Sequence, residues 1–262
     1  MTPESAARAA RLLIDARRGG EVLPALPSDC APRDADEGYA VQAAFVEASG
    51  EDVAGYKVGA TSEPAQRALG LDAPFWGRVP AGGVHASPVE LPGSAYTVRV
   101  VEPEFAFRLG ASLGPDGAPF DRESVAAVVA AVHPAMELVA SAFGPDWKAR
   151  GGPAVIADNG VHGGLVLGPA WGDWQNLDLT RHVVRLAVNG APASRGDGSK
   201  VFGDPILSLV WLANELARHG LALAAGDVVT TGVVTDPASL APGDRALADF
   251  GPLGEVRIGF AG

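Results

Sequence analysis

Three glutamates stand where the neighbouring side chains are too apolar for ordinary solvated acids. Glu102 and Glu104 lie two apart in Val98-Arg99-Val100-Val101-Glu102-Pro103-Glu104-Phe105-Ala106-Phe107-Arg108-Leu109. Glu137 sits in Met136-Glu137-Leu138-Val139. On a strand, residues two apart share a face. Glu102 and Glu104 therefore project side by side, with Val101, Phe105, Phe107 and Leu109 on the opposite face. Two like charges ~5 Å apart at an effective dielectric of ~20 repel by roughly 3 kcal/mol. A divalent cation, a basic partner or a bound proton would each relieve that. Lys57, in Gly55-Tyr56-Lys57-Val58-Gly59, is a candidate cation. It reads either as an edge lysine or as a lysine held in a cleft, where flanking glycines let a ligand approach.

The elements that must position these groups follow from periodicity and punctuation. Thr2-Pro3-Glu4 starts a helix that stops at Gly19-Gly20. A second helix is expected over 34–49, with Tyr39, Ala43, Phe45 and Val46 as its apolar stripe. Residues 53–59 and 98–109 read as strands, and Pro103 marks a sheet edge or a bulge. Asp121 caps a helix expected to run to Val132, with His133-Pro134 ending it. Residues 145–164 read as a long Gly-rich loop, a length that marks a functional segment. Short strands at 165–168, 182–188, 228–234, 245–250 and 254–260 follow, with Asn189-Gly190 as a type I′ hairpin turn. A helix spans 206–219. Asp72, Asp204 and Asp227 read as turn or cap residues. This order is α+β: a helical N-terminal section, 1–50, packed on a β body, 51–262.

Net charge is −11 over 262 residues, with a hydrophobic fraction of 47%. The acidic balance argues against nucleic acid or an anionic membrane as partner. A lone cysteine, Cys30, excludes an internal disulfide or a multi-cysteine metal site. With no apolar leader at the start and no apolar run of the ~20 residues needed to span a bilayer, a reducing cytoplasm is the expected home.

The order of short motifs is more specific than any one of them. Gly55-Tyr56-Lys57-Val58-Gly59, Val101-Glu102-Pro103-Glu104-Phe105-Ala106-Phe107, Pro134-Ala135-Met136-Glu137-Leu138-Val139, Asp146-Trp147-Lys148, Ala157-Asp158-Asn159, Gly203-Asp204-Pro205 and Ala225-Gly226-Asp227-Val228-Val229 occur in succession. The set resembles the 2-keto-4-pentenoate hydratase/4-oxalocrotonate decarboxylase family of the fumarylacetoacetate hydrolase superfamily, over about residues 5 to 260. The resemblance implies a mixed β-roll with packed helices, a homo-oligomer, and a Mg²⁺ or Mn²⁺ ion held by Glu102, Glu104 and Glu137. Three carboxylates suit a hard cation that keeps positions open for water or substrate. The implied substrates are small 2-oxo or 2-hydroxy-dienoic acids from aromatic-ring degradation. Lys57, Lys148, Asp158 and His162 are the implied acid/base or orienting groups, with Phe75 and Asn159 at the substrate.

Two departures keep the activity open. Hydratases of this type carry an acid in the loop matching Ala73-Pro74-Phe75-Trp76-Gly77, whereas decarboxylase relatives are apolar there. Serines that often follow the Ala-Asp-Asn motif are here Gly160-Val161-His162, so His162 takes over a polar or acid/base task or has no role; His85 is similarly open. His133 reads as a helix-end residue, His182 as a strand residue and His219 as a helix C-terminal feature. The leading expectation is a metal-dependent hydratase. A 2-oxo-enedioate decarboxylase and a non-catalytic 2-oxo acid binding protein are the alternatives. An acylpyruvate C–C hydrolase ranks lower, because that chemistry calls for a His/Glu pair and none is evident from spacing.

Overall fold

The computed structural model describes residues 1–262. Two helices open it, α1 (Pro3–Gly19) and α2 (Ala35–Ser49). Their starts follow local chemistry: Thr2 accepts the Ser5 N–H in a capping box, and Asp34 accepts the Glu37 N–H. The β body follows as β1 (Val53–Gly59), α3 (Glu63–Leu69), β2 (Phe75–Pro80), β3 (Val84–Ala86), β4 (Val89–Pro92), β5 (Val100–Leu109), α4 (Arg122–Val128) and β6 (Val129–Val139). The chain continues through α5 (Gly152–Ala157), β7 (His162–Leu167), β8 (Val183–Val188), β9 (Ala191–Asp197), α6 (Pro205–Arg218), β10 (Val228–Val233), β11 (Ala238–Ser239), β12 (Arg245–Asp249) and β13 (Glu255–Ala261). No helix is long and apolar enough to cross a membrane.

Two open mixed sheets form the body. The larger runs β2-β1-β10-β5-β6-β7-β3, with β11 also on β5; the smaller runs β4-β13-β12-β8-β9. The larger sheet presents the bulky parity of β5 and β6 to the smaller one. Phe105, Phe107, Met136 and Leu138 are wholly buried there beside Leu186, Ala248 and Phe250, and the Phe105 and Phe250 rings meet edge-on at 5.5 Å. Glu102, Glu104 and Glu137 have the other parity, so one sheet has a dry core face and an acid-bearing face.

Several sequence expectations need correction. The helix expected to reach Val132 ends at Val128, and Val129–Val139 is a strand. Leu109 pairs with Val129 and Phe107 with Val132, so ladder pairing of β-branched residues overrides the local helical pattern. His133 is therefore a strand residue, its Nδ1 2.9 Å from the Gly168 carbonyl oxygen. The stretch 145–164 is not a plain loop: it holds a 3₁₀ segment, Gly144–Arg150, then α5, then the start of β7. Ala43 is exposed, and Val41 and Gln42 take its place among the buried residues of α2. Pro103 lies in a central strand, at the point where β10 shifts register between Thr230 and Val233, so the bulge reading fits and the edge reading does not.

The N-terminal helices are bound to the body through apolar packing and one ion pair. Leu13, Val41 and Phe45 pack with Ala142, Phe143 and Ala157. Arg17 reaches in from α1: its Nε donates to Asp158 Oδ1 at 2.7 Å, and its other nitrogens donate to the carbonyl oxygens of Ala140, Asp158 and His162. Asp158 is fully buried and also accepts from Ser141 Oγ and the Ala142 N–H. Arg17→Ala leaves that carboxylate unpaired in the interior. Breaking one side of such a pair costs roughly 3–5 kcal/mol, which lowers Tm by about 6–20 °C in a chain of this size. Thermal unfolding followed by circular dichroism checks this; an unchanged Tm would contradict it.

Candidate metal centre

Register places the acids. Glu102 pairs directly with Glu137 across β5 and β6, and Glu104 stands one turn of the pleat further along the same face. One carboxylate oxygen from each lies within 4.8 Å of the other two. Glu104 is 1% exposed and Glu137 0%, while Glu102 is half-buried. Lys57 comes from β1, carried across by β10, which pairs with both β1 and β5. Its Nζ is 3.5 Å from Glu137 Oε1. It is neither an edge lysine nor exposed, because β1 is flanked by β2 and β10 and Lys57 is 3% exposed. Gly59, two residues on, packs against the Phe75 ring. A Cβ there would stand 2.3 Å from Phe75 Cζ, so the glycine admits that ring.

Each acid has a different complement. Gly232, at the β10 bulge with φ 110°, donates its N–H to Glu104 Oε2 at 2.8 Å. Its backbone favours glycine, and a Cβ would also strike Thr61 Oγ1 at 2.6 Å. Glu137 Oε1 accepts from His162 Nδ1 at 2.8 Å, whereas Glu137 Oε2 is buried with no partner. An orphaned carboxylate oxygen in the interior is costly unless a cation or proton meets it. Three hard oxygen donors, one with a vacant buried lone-pair site, fit a divalent ion such as Mg²⁺ or Mn²⁺.

The electrostatics agree. Burial, then the Glu137 charge, raise Glu102 to about 7 from an ordinary 4.5, with Lys57 and Lys148 opposing. Burial and the two neighbouring carboxylates push Glu104 well up, against Lys57 and the Gly232 N–H. Burial also raises Glu137, but the Lys57 charge and the His162 hydrogen bond outweigh it and hold that acid low. A carboxyl raised in the folded state keeps a proton that the unfolded chain releases. Stability of metal-free protein therefore falls as pH rises from about 4.5 to about 7. Melting curves in chelator should show Tm declining across that window, and Mn²⁺ should raise Tm more at pH 8 than at pH 5. A Tm that climbs from pH 5 to 7 in chelator would contradict the cluster.

Glu102 and Glu104 open into a cleft of about 420 Å³ that Lys57, Phe75, Trp147 and Lys148 also line. The Lys57 ammonium lies 4.9 Å from the centroid of the Phe75 ring. Lys148 is an exposed rim residue over Trp147. Glu137 is not among the residues that line this cleft, and neither are three further sequence candidates. Asp158 is held by Arg17, Ser141 and Ala142 as described, so its carboxylate is committed to the scaffold. Asn159 accepts the Arg78 N–H and donates to the Arg78 carbonyl oxygen, clamping β2. His162 lines a separate cavity of about 440 Å³ on the other side of Glu137. A His/Glu pair therefore does exist, contrary to the expectation from spacing, but its glutamate belongs to the acid trio. Sequence spacing missed it because residues 25 apart meet only through the β6–β7 pairing. His85 also faces the rear cavity, and His219 caps α6. A larger cavity, about 650 Å³, lies against the smaller sheet far from the acids, where Glu90 is paired with Arg245.

Known proteins match this chain along its whole length. It is 32% identical over 263 residues to 2-keto-4-pentenoate hydratase of Paraburkholderia xenovorans (strain LB400), covering 99% of this chain and 96% of that protein. It is 33% identical over 238 residues to 2-hydroxyhexa-2,4-dienoate hydratase of Comamonas testosteroni, covering 89% of each. The fold superposes on 4-oxalocrotonate decarboxylase from Pseudomonas putida G7, solved with calcium and acetate and with magnesium and adipate. TM-score is 0.90 and identity 25%, over 99% of this chain and 98% of that one. The fumarylacetoacetate (FAA) hydrolase C-terminal family matches residues 39–260. With that span matched and its relatives aligned end to end, the chain belongs to the fumarylacetoacetate hydrolase family.

Proposed function

We propose that this protein is a metal-dependent hydratase that adds water to a 2-hydroxy-dienoate or 2-oxo-enoate of the 2-oxopent-4-enoate type, formed in aromatic-compound degradation. The observation that carries it is the acid trio, two of whose members, Glu102 and Glu104, line an open cleft together with the buried Lys57. Glu102, Glu104 and Glu137 would hold Mg²⁺ or Mn²⁺. Such an ion supplies Lewis-acid polarisation of a 2-oxo group. Lys57 sits within reach of a carboxylate or 2-oxo oxygen placed over the trio, and it holds or moves a proton there. Lys148, at the exposed rim, is the second cation for the substrate head. The open rim gives water a path to the substrate tail.

Charge counting favours a monocarboxylate. The three carboxylates are matched by one divalent ion and Lys57. Lys148 then remains for a single substrate carboxylate, because the next lysine in the cleft, Lys200, is paired with Asp236 at 3.1 Å. A second carboxylate at the tail would face Leu69, Trp147 and Val233 without a free cation. The names of the two hydratase relatives agree with this choice.

Phe75 favours a second reading, decarboxylation of a 2-oxo-enedioate of the 4-oxalocrotonate type, because the cleft has an apolar ring over Lys57 where hydratases of this type carry an acid. Incubation with 2-hydroxypenta-2,4-dienoate and with 4-oxalocrotonate, in Mg²⁺, separates the two. Loss of dienol absorbance with water addition to the first is expected. CO₂ release from the second with no reaction of the first would overturn the proposal. A homo-oligomer is part of the same proposal, and light scattering that gives a 26.6 kDa particle would refute it.

A further inference from the structure

His162 lies beside the acid trio but outside the cleft, and that placement defines what it does. It is 3% exposed, so its ring is fixed by packing. Its Nδ1 is 2.8 Å from Glu137 Oε1, and a carboxylate oxygen only accepts. The proton must therefore be on Nδ1, which leaves Nε2 pointing elsewhere, buried and without a partner. Glu137 Oε1 is thus fixed from two sides, by His162 Nδ1 and by Lys57 Nζ at 3.5 Å. The other oxygen, Oε2, has no protein partner.

We infer that His162 is a positioning residue: its Nδ1–H holds Glu137 Oε1 so that Oε2 is presented to the divalent ion. Ligating carboxylates are commonly oriented by a hydrogen bond from behind, and removing that bond weakens metal binding by about 10–100-fold. His162 is held in turn by the N-terminal section, since Arg17 Nη1 donates to the His162 carbonyl oxygen at 2.7 Å. The residue does not touch substrate, because it lines the rear cavity and not the cleft. This inference rests on the metal centre proposed above.

Mn²⁺ titration by calorimetry tests it in wild type, His162→Ala and His162→Asn. The Asn amide nitrogen overlays imidazole Nδ1 and keeps the donor; alanine does not. Mn²⁺ affinity should fall about 10–100-fold in the alanine variant and be largely restored by asparagine. At saturating Mn²⁺ the alanine variant should regain most of its kcat, which loss of a substrate-touching acid or base would not allow. Unchanged Mn²⁺ affinity in H162A, or equal loss in both variants, overturns the role. If H162A does not fold, His162→Gln replaces it, because its amide overlays Nε2 and leaves Glu137 without its donor. Wild-type protein that binds no Mn²⁺ would instead sink the metal centre itself.

Discussion

Glu104→Gln should abolish turnover, by at least about a thousandfold, while the protein still folds. Glu104 Oε2 accepts the Gly232 N–H, and one carboxylate oxygen of Glu104 lies within 4.8 Å of oxygens of Glu102 and Glu137. Glutamine has one acceptor and one NH₂ group in that space. If its oxygen keeps the Gly232 N–H, the NH₂ faces the ion and has no lone pair to give. If the amide flips, two donors meet at Gly232. In the first case the ion loses a ligand and a charge; in the second it keeps only a neutral oxygen, and the Gly232 N–H loses its acceptor. Lewis-acid stabilisation worth several kcal/mol is lost with it, and each 1.36 kcal/mol is about a factor of ten in rate. The fold survives because a neutral amide of the same shape replaces a buried carboxyl whose ionisation burial and the neighbouring acids already disfavour, so the metal-free Tm should hold or rise. Steady-state kinetics, Mn²⁺ titration and thermal melts on one preparation decide it. Unchanged turnover would remove Glu104 from the site.

Lys57→Met should separate chemistry from metal binding. Methionine fills the same buried volume without the charge. A positioned proton-transfer group contributes about 10²–10⁴ in rate, and kcat should fall by that order. Metal binding at pH 8 should be as tight as in wild type or tighter. Lys57 Nζ is 3.5 Å from Glu137 Oε1 and repels an incoming cation, so removing it lowers the barrier to loading. Loss of Mn²⁺ binding in this variant would show that Lys57 serves only to hold Glu137 in place. Full activity would show that it serves neither purpose.

Local rules were legible in the chain without coordinates. The two-residue spacing of Glu102 and Glu104, and the reversed parity of Glu137 against Met136 and Leu138, put acids on one face of a sheet and core on the other. Asp34, Asp121 and Asp204 cap helices, and Asn189-Gly190 turns the β8–β9 hairpin with φ 52° and 80°. These features depend on bond geometry and on side chains a few residues apart, so the sequence states them directly.

The tertiary structure decided which groups meet. Pairing of β5 with β6 sets Glu102 against Glu137, and β10 brings Lys57 to them from another part of the chain. The Ala-Asp-Asn motif looked like cleft chemistry, yet Asp158 answers Arg17 from 141 residues away and Asn159 clamps β2. His162 carried no spacing signal and still lies against Glu137, on the side away from the cleft. The end of α4 at Val128 has the same cause as these contacts. Strand pairing and burial are settled by many distant interactions whose sum outweighs local preference, and no window of sequence contains them.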